Sequence, residues 1–359
     1  MDNRDIRGKR HELSFVIVLF LIAILRSDKA LKMSVIHRGM VEDFFRLSKL
    51  LGVDFKKCVS YSQLKRILRS IDCQSFNGLN FLFFKATIHK IDTKWYSLDG
   101  KELCGTIDKC SGKVRGVSIV NLTEHDSGGY SEIIGQYDAT KASEKPVVSN
   151  YLQEQDLTNK GFSFDGLHTS VGNLKTIQQK GGTYLAQLKG NQKKALKVCQ
   201  DLEQTSTAFC EDDQIQQGHG RIEARKYWGF NVDVSNLDSR WKDTGCSTMI
   251  VVERGRYNLK TKHETTQKSY WICNQVLDDE RFNEMTKSIR NHWEVEVHHQ
   301  IRDKQMGEDA LRISNQKESV VVASFLTVAI NLLNQKRENI SILREKMAKN
   351  WKLVPAIFK

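Results

Sequence analysis

Three acids in this 359-residue chain have the type and setting for metal chemistry: Asp99, Asp165 and Glu296. Asp99 closes the run Trp95-Tyr-Ser-Leu-Asp, Asp165 closes Phe162-Ser-Phe-Asp, and each is followed by glycine. A single Asp-Gly step is most simply a turn, because glycine and aspartate tolerate the backbone angles that turns need. Two of them, each ending a strand-like stretch, place carboxylates where open α/β sheets hold their ligands. Glu296 lies in His292-Trp-Glu-Val-Glu-Val-His-His, on the border of an apolar helical stripe that would aim it at the sheet. Glu294 is a rival for the third place, and a solvated helix flank is the commonest fate of a glutamate. Three carboxylates suit Mg²⁺, which prefers oxygen donors and keeps several waters. Two such ions roughly 4 Å apart can activate a water or a 3′ hydroxyl for in-line attack on phosphate and stabilise the leaving oxygen.

The elements that must carry these acids follow from periodicity. Residues 1–90 read as helical, with apolar residues at helical spacing in Leu13 to Leu25, Val41 to Leu51 and Leu64 to Ile71. From about residue 94 the texture turns to strands: Trp95 to Leu98, Val117 to Leu122 and Glu132 to Tyr137, with Ser127, Gly128 and Gly129 as a turn. A helix from Pro146 to about Gln155, a strand Phe162 to Phe164, a helix from His168 to about Lys180 and a strand Tyr184 to Leu188 follow. The order βββαβαβ predicts an α/β fold with a mixed sheet of the RNase-H-like type. Strand-like stretches at 220–230, 247–253 and 266–274 predict a β-rich insertion within about 205–275. A long helix is expected from Asp278 to about Asp303, with Phe282, Met285, Ile289, Trp293, Val297 and Ile301 on one stripe. A buried helix from Val320 to Leu333 and a basic amphipathic tail from Lys336 to Lys352 close the chain. The organisation expected is a helical N-terminal domain (1–90), a catalytic domain (91–310) holding the insertion, and C-terminal helices (311–359).

Lysines and arginines number 55 against 43 acids, a net charge of +12, which favours a polyanionic partner. Nucleic acid leads and a membrane surface trails. Lys189, Lys193 and Lys194 cluster after the strand ending at Leu188, and Arg221, Arg225 and Lys226 alternate with Ile222 and Ala224. Such residues grip a DNA backbone without reading its sequence, and Tyr227 or Trp228 could stack on an unpaired base. The plainer reading is a solvated strand face over core aromatics. The eight cysteines form no CxxC pair, so neither a zinc site nor a disulfide framework is indicated, and a reducing cytoplasm fits. Leu13 to Leu25 looks like the apolar part of a signal peptide, but it is too short to span a bilayer and no small-residue cleavage site follows. A buried helix explains it better. His292, Glu296 and His299 share a helical face, yet the chain lacks the HExxH pattern of a zinc hydrolase.

These stretches resemble the ISAs-type DDE insertion-sequence transposases, a family that includes the H-repeat-associated proteins, and the likeness runs nearly end to end. Asp5-Ile-Arg-Gly-Lys-Arg-His-Glu-Leu resembles the family's basic N-terminal region, and Ser97-Leu-Asp-Gly-Lys its first catalytic aspartate. Lys141-Ala-Ser-Glu is similar to a Lys-Ser-Asn-Glu segment. Phe164-Asp-Gly-Leu-His-Thr, Gly181-Gly-Thr-Tyr and Leu188-Lys-Gly-Asn-Gln resemble the second aspartate and its downstream signature. His219-Gly-Arg-Ile-Glu-Ala-Arg resembles His-Gly-Arg-x-Glu-x-Arg, and His292-Trp-Glu-Val-Glu resembles His-Trp-x-x-Glu, whose last residue is the third acid. The resemblance, not the spacing, selects Glu296 over Glu294. Where many relatives have His-Trp-Gly-Ile-Glu-Asn, this chain has Glu294 and Val297, and the step to Arg302-Asp303 is one residue shorter.

The resemblance implies an enzyme that binds the ends of its element, nicks them and joins them to target DNA. Two Mg²⁺ ions, with Mn²⁺ as the alternative, would sit on Asp99, Asp165 and Glu296. Expected DNA contacts are Lys101, Lys189, Asn191, Lys193, Lys194, His219, Arg221, Arg225, His292, Trp293 and Arg302. A homodimer on DNA in the cytoplasm, with no membrane partner, completes the expectation. The competing readings are a catalytically inactive or domesticated DNA-binding protein of the same fold, against which the retention of all three acids speaks, and a nuclease that lacks strand transfer.

Overall fold

The apolar run near the N-terminus is a helix, α1 (Leu13–Arg26), followed by α2 (Met33–Leu51), α3 (Tyr61–Ser70) and α4 (Cys73–Ile88). Strands β1 (Lys94–Glu102), β2 (Val117–Glu124) and β3 (Ser131–Asp138) come next, then α5 (Lys145–Glu154), β4 (Lys160–Phe164), α6 (Val171–Gln179) and β5 (Thr183–Leu188). Helix α7 (Lys193–Thr205) leads into β6 (Cys210–Gly218), β7 (Arg221–Asn231), β8 (Thr248–Asn258) and β9 (Glu264–Cys273). The chain closes with α8 (Asp279–Asn291), α9 (Glu294–Gln300), α10 (Gln316–Asn334) and α11 (Ile340–Lys349). This computed structural model describes residues 9–27, 31–88, 94–107, 112, 114–126, 130–139, 143–218, 220–336 and 338–358. The expected turn at Ser127, Gly128 and Gly129 lies outside them. The chain divides into two units, one of Met1–Lys90, Asp99–Val147 and Val295–Lys359, the other of Ile91–Leu98 and Val148–Glu294.

In the first unit, α1 is apolar on nearly every side because it is enclosed on nearly every side. Phe20, Ile24 and Leu25 are fully buried, in one core with Ile36 and Phe44 of α2, Leu64 of α3, Phe325 and Ile330 of α10 and Met347 of α11. Helix α10 is long and apolar enough to cross a membrane, but 89% of its apolar window is buried in this protein core. Its start is capped by Asn315, whose side chain accepts the Glu318 N–H at 3.0 Å. Polar ties close the bundle: Arg26 pairs with Asp43, and Arg344 donates to the carbonyls of Ser27 and Gln305. The N- and C-terminal helices thus share one core. Strand order in this unit is β3-β2-β1, with β2 and β3 antiparallel from Val117↔Asp138 to Thr123↔Ser131.

In the second unit the order is β1-β4-β5-β9-β8-β7-β6. The pairs β1–β4 and β4–β5 are parallel, and every later pair is antiparallel. The meander followed by alternating helices and strands is therefore present, as a mixed sheet, and the β-rich stretch extends that sheet beyond β5. Helix α8 packs on it through Phe282, Met285 and Ile289, against Tyr227, Ile250, Val252 and Trp271. Among the described residues the cysteines are free thiols.

Three elements differ from expectation. Strand β6 reads Cys-Glu-Asp-Asp-Gln-Ile-Gln-Gln-Gly, with no apolar face, because it is an edge strand that neighbours only β7 and stays polar. Helix α7 was not anticipated. The long helix expected from Asp278 to Asp303 is instead interrupted at His292 and Trp293 and ends in a π-helical turn, Ile301–Gln305. His292 is 3% exposed and bonded through Nδ1 to Ser163 Oγ at 2.9 Å, a polar anchor at the break.

Candidate active site

Strand β1 does not stop at Asp99 but continues to Glu102, so Asp99 sits within a strand and its side chain is held by neighbours. Its Oδ1 accepts the Gly100 N–H at 2.9 Å, and its Oδ2 lies 3.6 Å from His299 Nδ1. On the other side of that ring, Asn121 Nδ2 donates to Nε2 at 2.8 Å, which leaves the proton of a neutral imidazole on Nδ1, facing Asp99. Burial, reinforced by the charges of Arg302 and Lys101, pushes His299 down to about 3, so the ring is neutral at ordinary pH.

The Asp99 carboxylate has an acidic companion. Glu144, just before α5, is 8% exposed and brings a carboxylate oxygen within 4.8 Å of one on Asp99. A Cβ on Gly100 would fall 1.5 Å from Glu144 Oε2. The glycine of this Asp-Gly step is thus explained by the Glu144 carboxylate lying against it. Two carboxylates this close offer the oxygen donors that a hard cation prefers.

Asp165 follows β4 in the second unit and shapes its own loop. Its Oδ1 accepts the N–H groups of Leu167 at 2.9 Å and His168 at 3.1 Å, and its carbonyl accepts the Thr169 hydroxyl at 2.8 Å. The Leu188-Lys-Gly-Asn-Gln stretch props this loop. Asn191 Nδ2 donates to the Gly166 carbonyl, Gln192 Nε2 donates to the Thr169 carbonyl at 3.1 Å, and Lys189 Nζ stands 3.9 Å from Asp165 Oδ2. A Cβ on Gly166 would meet the Lys189 side chain at 2.6 Å. Behind the loop, burial pushes His292 down to about 4, against the opposing pull of Asp165.

Glu296 is exposed on the short helix α9. Val295 and His298 turn inward there, while Val297 is 52% exposed, so the expected stripe does not continue through Val297. The break at His292 and Trp293 resets the helical phase. Glu294 is partly buried.

The expected DNA contacts divide by exposure. Asn191, Lys193, Lys194 and Arg221 are exposed, Lys189 is half-exposed, and Trp293 is partly buried. Three of the expected contacts are enclosed by the fold. Arg302 is fully buried and spent on Glu308, on Thr327 Oγ1 at 2.6 Å and on the Ala323 carbonyl at 3.1 Å. Lys101 is 8% exposed, with its Nζ 2.6 Å from Asp303 Oδ1. His292 is buried against Ser163. Arg225 is also buried but lines a cleft, and His219 lies outside the described residues. Sequence reasoning missed Glu144 and Asn121 as neighbours of the Asp99 side, although Glu144 ends the Lys141-Ala-Ser-Glu stretch that already stood out.

Residues 80–332 match the family described as "Transposase DDE domain". The chain is 25% identical over 366 residues to the "Putative transposase YncI" of Escherichia coli O157:H7, covering 96% of this chain and 90% of that protein. It is 26% identical over 369 residues to the "H repeat-associated putative transposase YhhI" of Escherichia coli strain K12, covering 97% and 92%. With most of its length matched, the chain belongs to the transposase DDE domain family.

Proposed function

We propose that the chain is an active DNA transposase that nicks the ends of an insertion sequence and joins them to target DNA through Asp99, Asp165 and Glu296. One observation carries the pairing of the aspartates. β1 and β4 run parallel with Ser97 opposite Ser163, and each aspartate stands two residues beyond its member of that pair. Asp165 stands at the carboxyl end of β4, where open α/β sheets hold ligands, and the parallel register favours a joint task with Asp99 although β1 runs on to Glu102. The sub-orders β3-β2-β1 and β1-β4-β5, with β1, β4 and β5 parallel, support an RNase-H-like core.

The donor chemistry fits a hard divalent cation. Carboxylates are the only anionic groups in the triad, and the closeness of the Asp99 and Glu144 carboxylates is a repulsion that a cation relieves. We assign two Mg²⁺ ions, or Mn²⁺ in their place, to Asp99, Asp165 and Glu296; when bound they supply Lewis acidity toward a phosphodiester. The chain's own residues do the rest. The neutral His299 ring turns Nδ1 toward Asp99 at 3.6 Å, while Asn191 and Gln192 hold the loop that carries Asp165. Lys193, Lys194 and Arg221 meet the DNA backbone. A homodimer in the cytoplasm pairs two DNA ends, and the 1–90 segment contributes to their recognition.

The test uses a labelled duplex carrying the sequence that flanks the gene. Nicking that requires Mg²⁺ or Mn²⁺, stops with EDTA and is lost in Asp165→Asn supports the assignment. Tight binding without nicking under either ion moves the chain to the inactive DNA-binding reading.

A further inference from the structure

On one face of the β-rich part of the second unit a single buried carboxylate is surrounded by four arginines, of which Arg225 is buried and Arg254 largely so. On the β7–β8 ladder Glu223 stands opposite Arg256, and Arg225 opposite Arg254. Residues two apart on a strand share a face, so Arg221, Glu223, Arg225, Arg254 and Arg256 stand together. The Glu223 carboxylate meets Arg221 Nε at 2.6 Å, Arg254 Nη2 at 3.0 Å and Arg256 Nε at 3.4 Å, and Arg225 Nη2 still more closely. Burial pushes the Glu223 carboxyl up, but bonds and charge from these arginines prevail and hold it at about 2. One negative charge thus faces four positive ones.

That excess borders a cleft of about 120 Å³ lined by Arg225, Arg254, Arg290, Lys189, Gln187 and Trp293, and no lining residue is acidic. Its floor, Tyr227, Val252 and Trp271, continues the apolar surface that α8 covers. Helix α8 ends at Asn291, and beyond its last turn the same face of β7 and β8 changes from apolar residues to arginine. Arg225 is only 4% exposed, and its Nη1 has no hydrogen-bond partner among the described residues. Leaving a buried donor unsatisfied is costly, and most so for a charged group. A fold that keeps such a cost beside a cationic cleft is organised for an anion.

We infer that this cleft is a subsite for one phosphate of the DNA backbone, with Arg225, Arg254 and Arg290 donating to its oxygens and Glu223 as the positioning residue that holds the arginines in place. The planar guanidinium forks match phosphate oxygens in a way lysine ammonium groups do not. The inference rests on the DNA-acting reading above and names the part of the substrate that this face takes.

The test is fluorescence anisotropy of a labelled mixed-sequence duplex titrated with the full-length protein across a KCl series. Arg254→Gln and Arg290→Gln are each expected to weaken binding about tenfold and to lower the salt slope by about one, the loss of a single phosphate contact. Glu223→Gln makes the site more positive, so a general electrostatic role predicts tighter binding, whereas a positioning role predicts weaker binding. Sodium phosphate at matched ionic strength should compete with DNA for the wild type and less for Arg290→Gln. Unchanged affinity and slope in both arginine variants, each folded by circular dichroism, would overturn the subsite. Competition by phosphate without any change in slope means an adventitious ion only, and overturns it too. Binding losses without nicking in any protein would sink the catalytic reading alone; intact nicking with unchanged slopes would sink this one alone.

Discussion

The two Asp-Gly corners are alike as sequence and opposite as environments. At Asp99 the glycine gives room to the carboxylate of Glu144, and a neutral histidine, His299, stands 3.6 Å away. At Asp165 the glycine gives room to the stem of Lys189, whose ammonium stands 3.9 Å from the carboxylate. One corner gathers negative charge and the other is partly compensated by a cation. The same dipeptide thus serves two electrostatic settings, and the difference arises from residues 24 positions beyond Asp165 and 45 and 200 positions beyond Asp99.

The largest expected effect removes the comparison altogether. Asp99→Asn and Asp165→Asn should each reduce nicking by at least about a hundredfold, since a polarising metal contributes several kcal/mol to the transition state. A variant that keeps wild-type nicking would take its corner out of the chemistry. Next comes the pH response of the Asp165 side. His292 is held at about 4 by burial, below the ordinary histidine value near 6.5. The unfolded chain therefore takes up the proton first on acidification, so the stabilisation is full above about pH 6.5 and is lost as pH falls toward 4. It amounts to about 3 kcal/mol. Urea midpoints measured across that window should fall with acid in the wild type and more gently in His292→Gln; parallel curves would contradict this.

The glycines give smaller effects that separate the corners. Gly166→Ala should cost about 2 kcal/mol, because the new Cβ meets Lys189 Cβ at 2.7 Å as well as the outer stem. Lys189→Ala retains that Cβ and should not rescue it. Gly100→Ala should cost about 1 kcal/mol, because it displaces the far end of the Glu144 side chain, and Glu144→Ala should recover most of the loss. Thermal unfolding of the two double variants checks the contrast, and equal rescue at both corners would erase it.

Much of the architecture was legible in the chain. Strands β1 to β5 announced themselves through apolar and β-branched runs, and α1 through its continuous apolarity. Strand β6 was hidden because an edge strand carries no apolar face, and the interruption at His292 because the stripe before it, Phe282, Met285 and Ile289, keeps helical spacing. The two aspartates stood out in the sequence by their Asp-Gly steps and all three acids by the family resemblance, but β1 runs on past Asp99 to Glu102. Their neighbours were not: Glu144, Asn121 and His299 reach the Asp99 side through tertiary contacts that no spacing encodes. Arginine roles were the least legible, since charge alone does not tell Arg302, satisfied by Glu308, from Arg225, left with an open donor.

The measurement that tests the central claim most directly is strand transfer of pre-nicked, labelled element ends into plasmid DNA with Mg²⁺, comparing wild type, Glu296→Gln and Glu294→Gln. The account predicts joined product for wild type and Glu294→Gln and none for Glu296→Gln, with all three binding the ends equally. Joined product from Glu296→Gln, or its absence from a wild type that binds those ends, would contradict it.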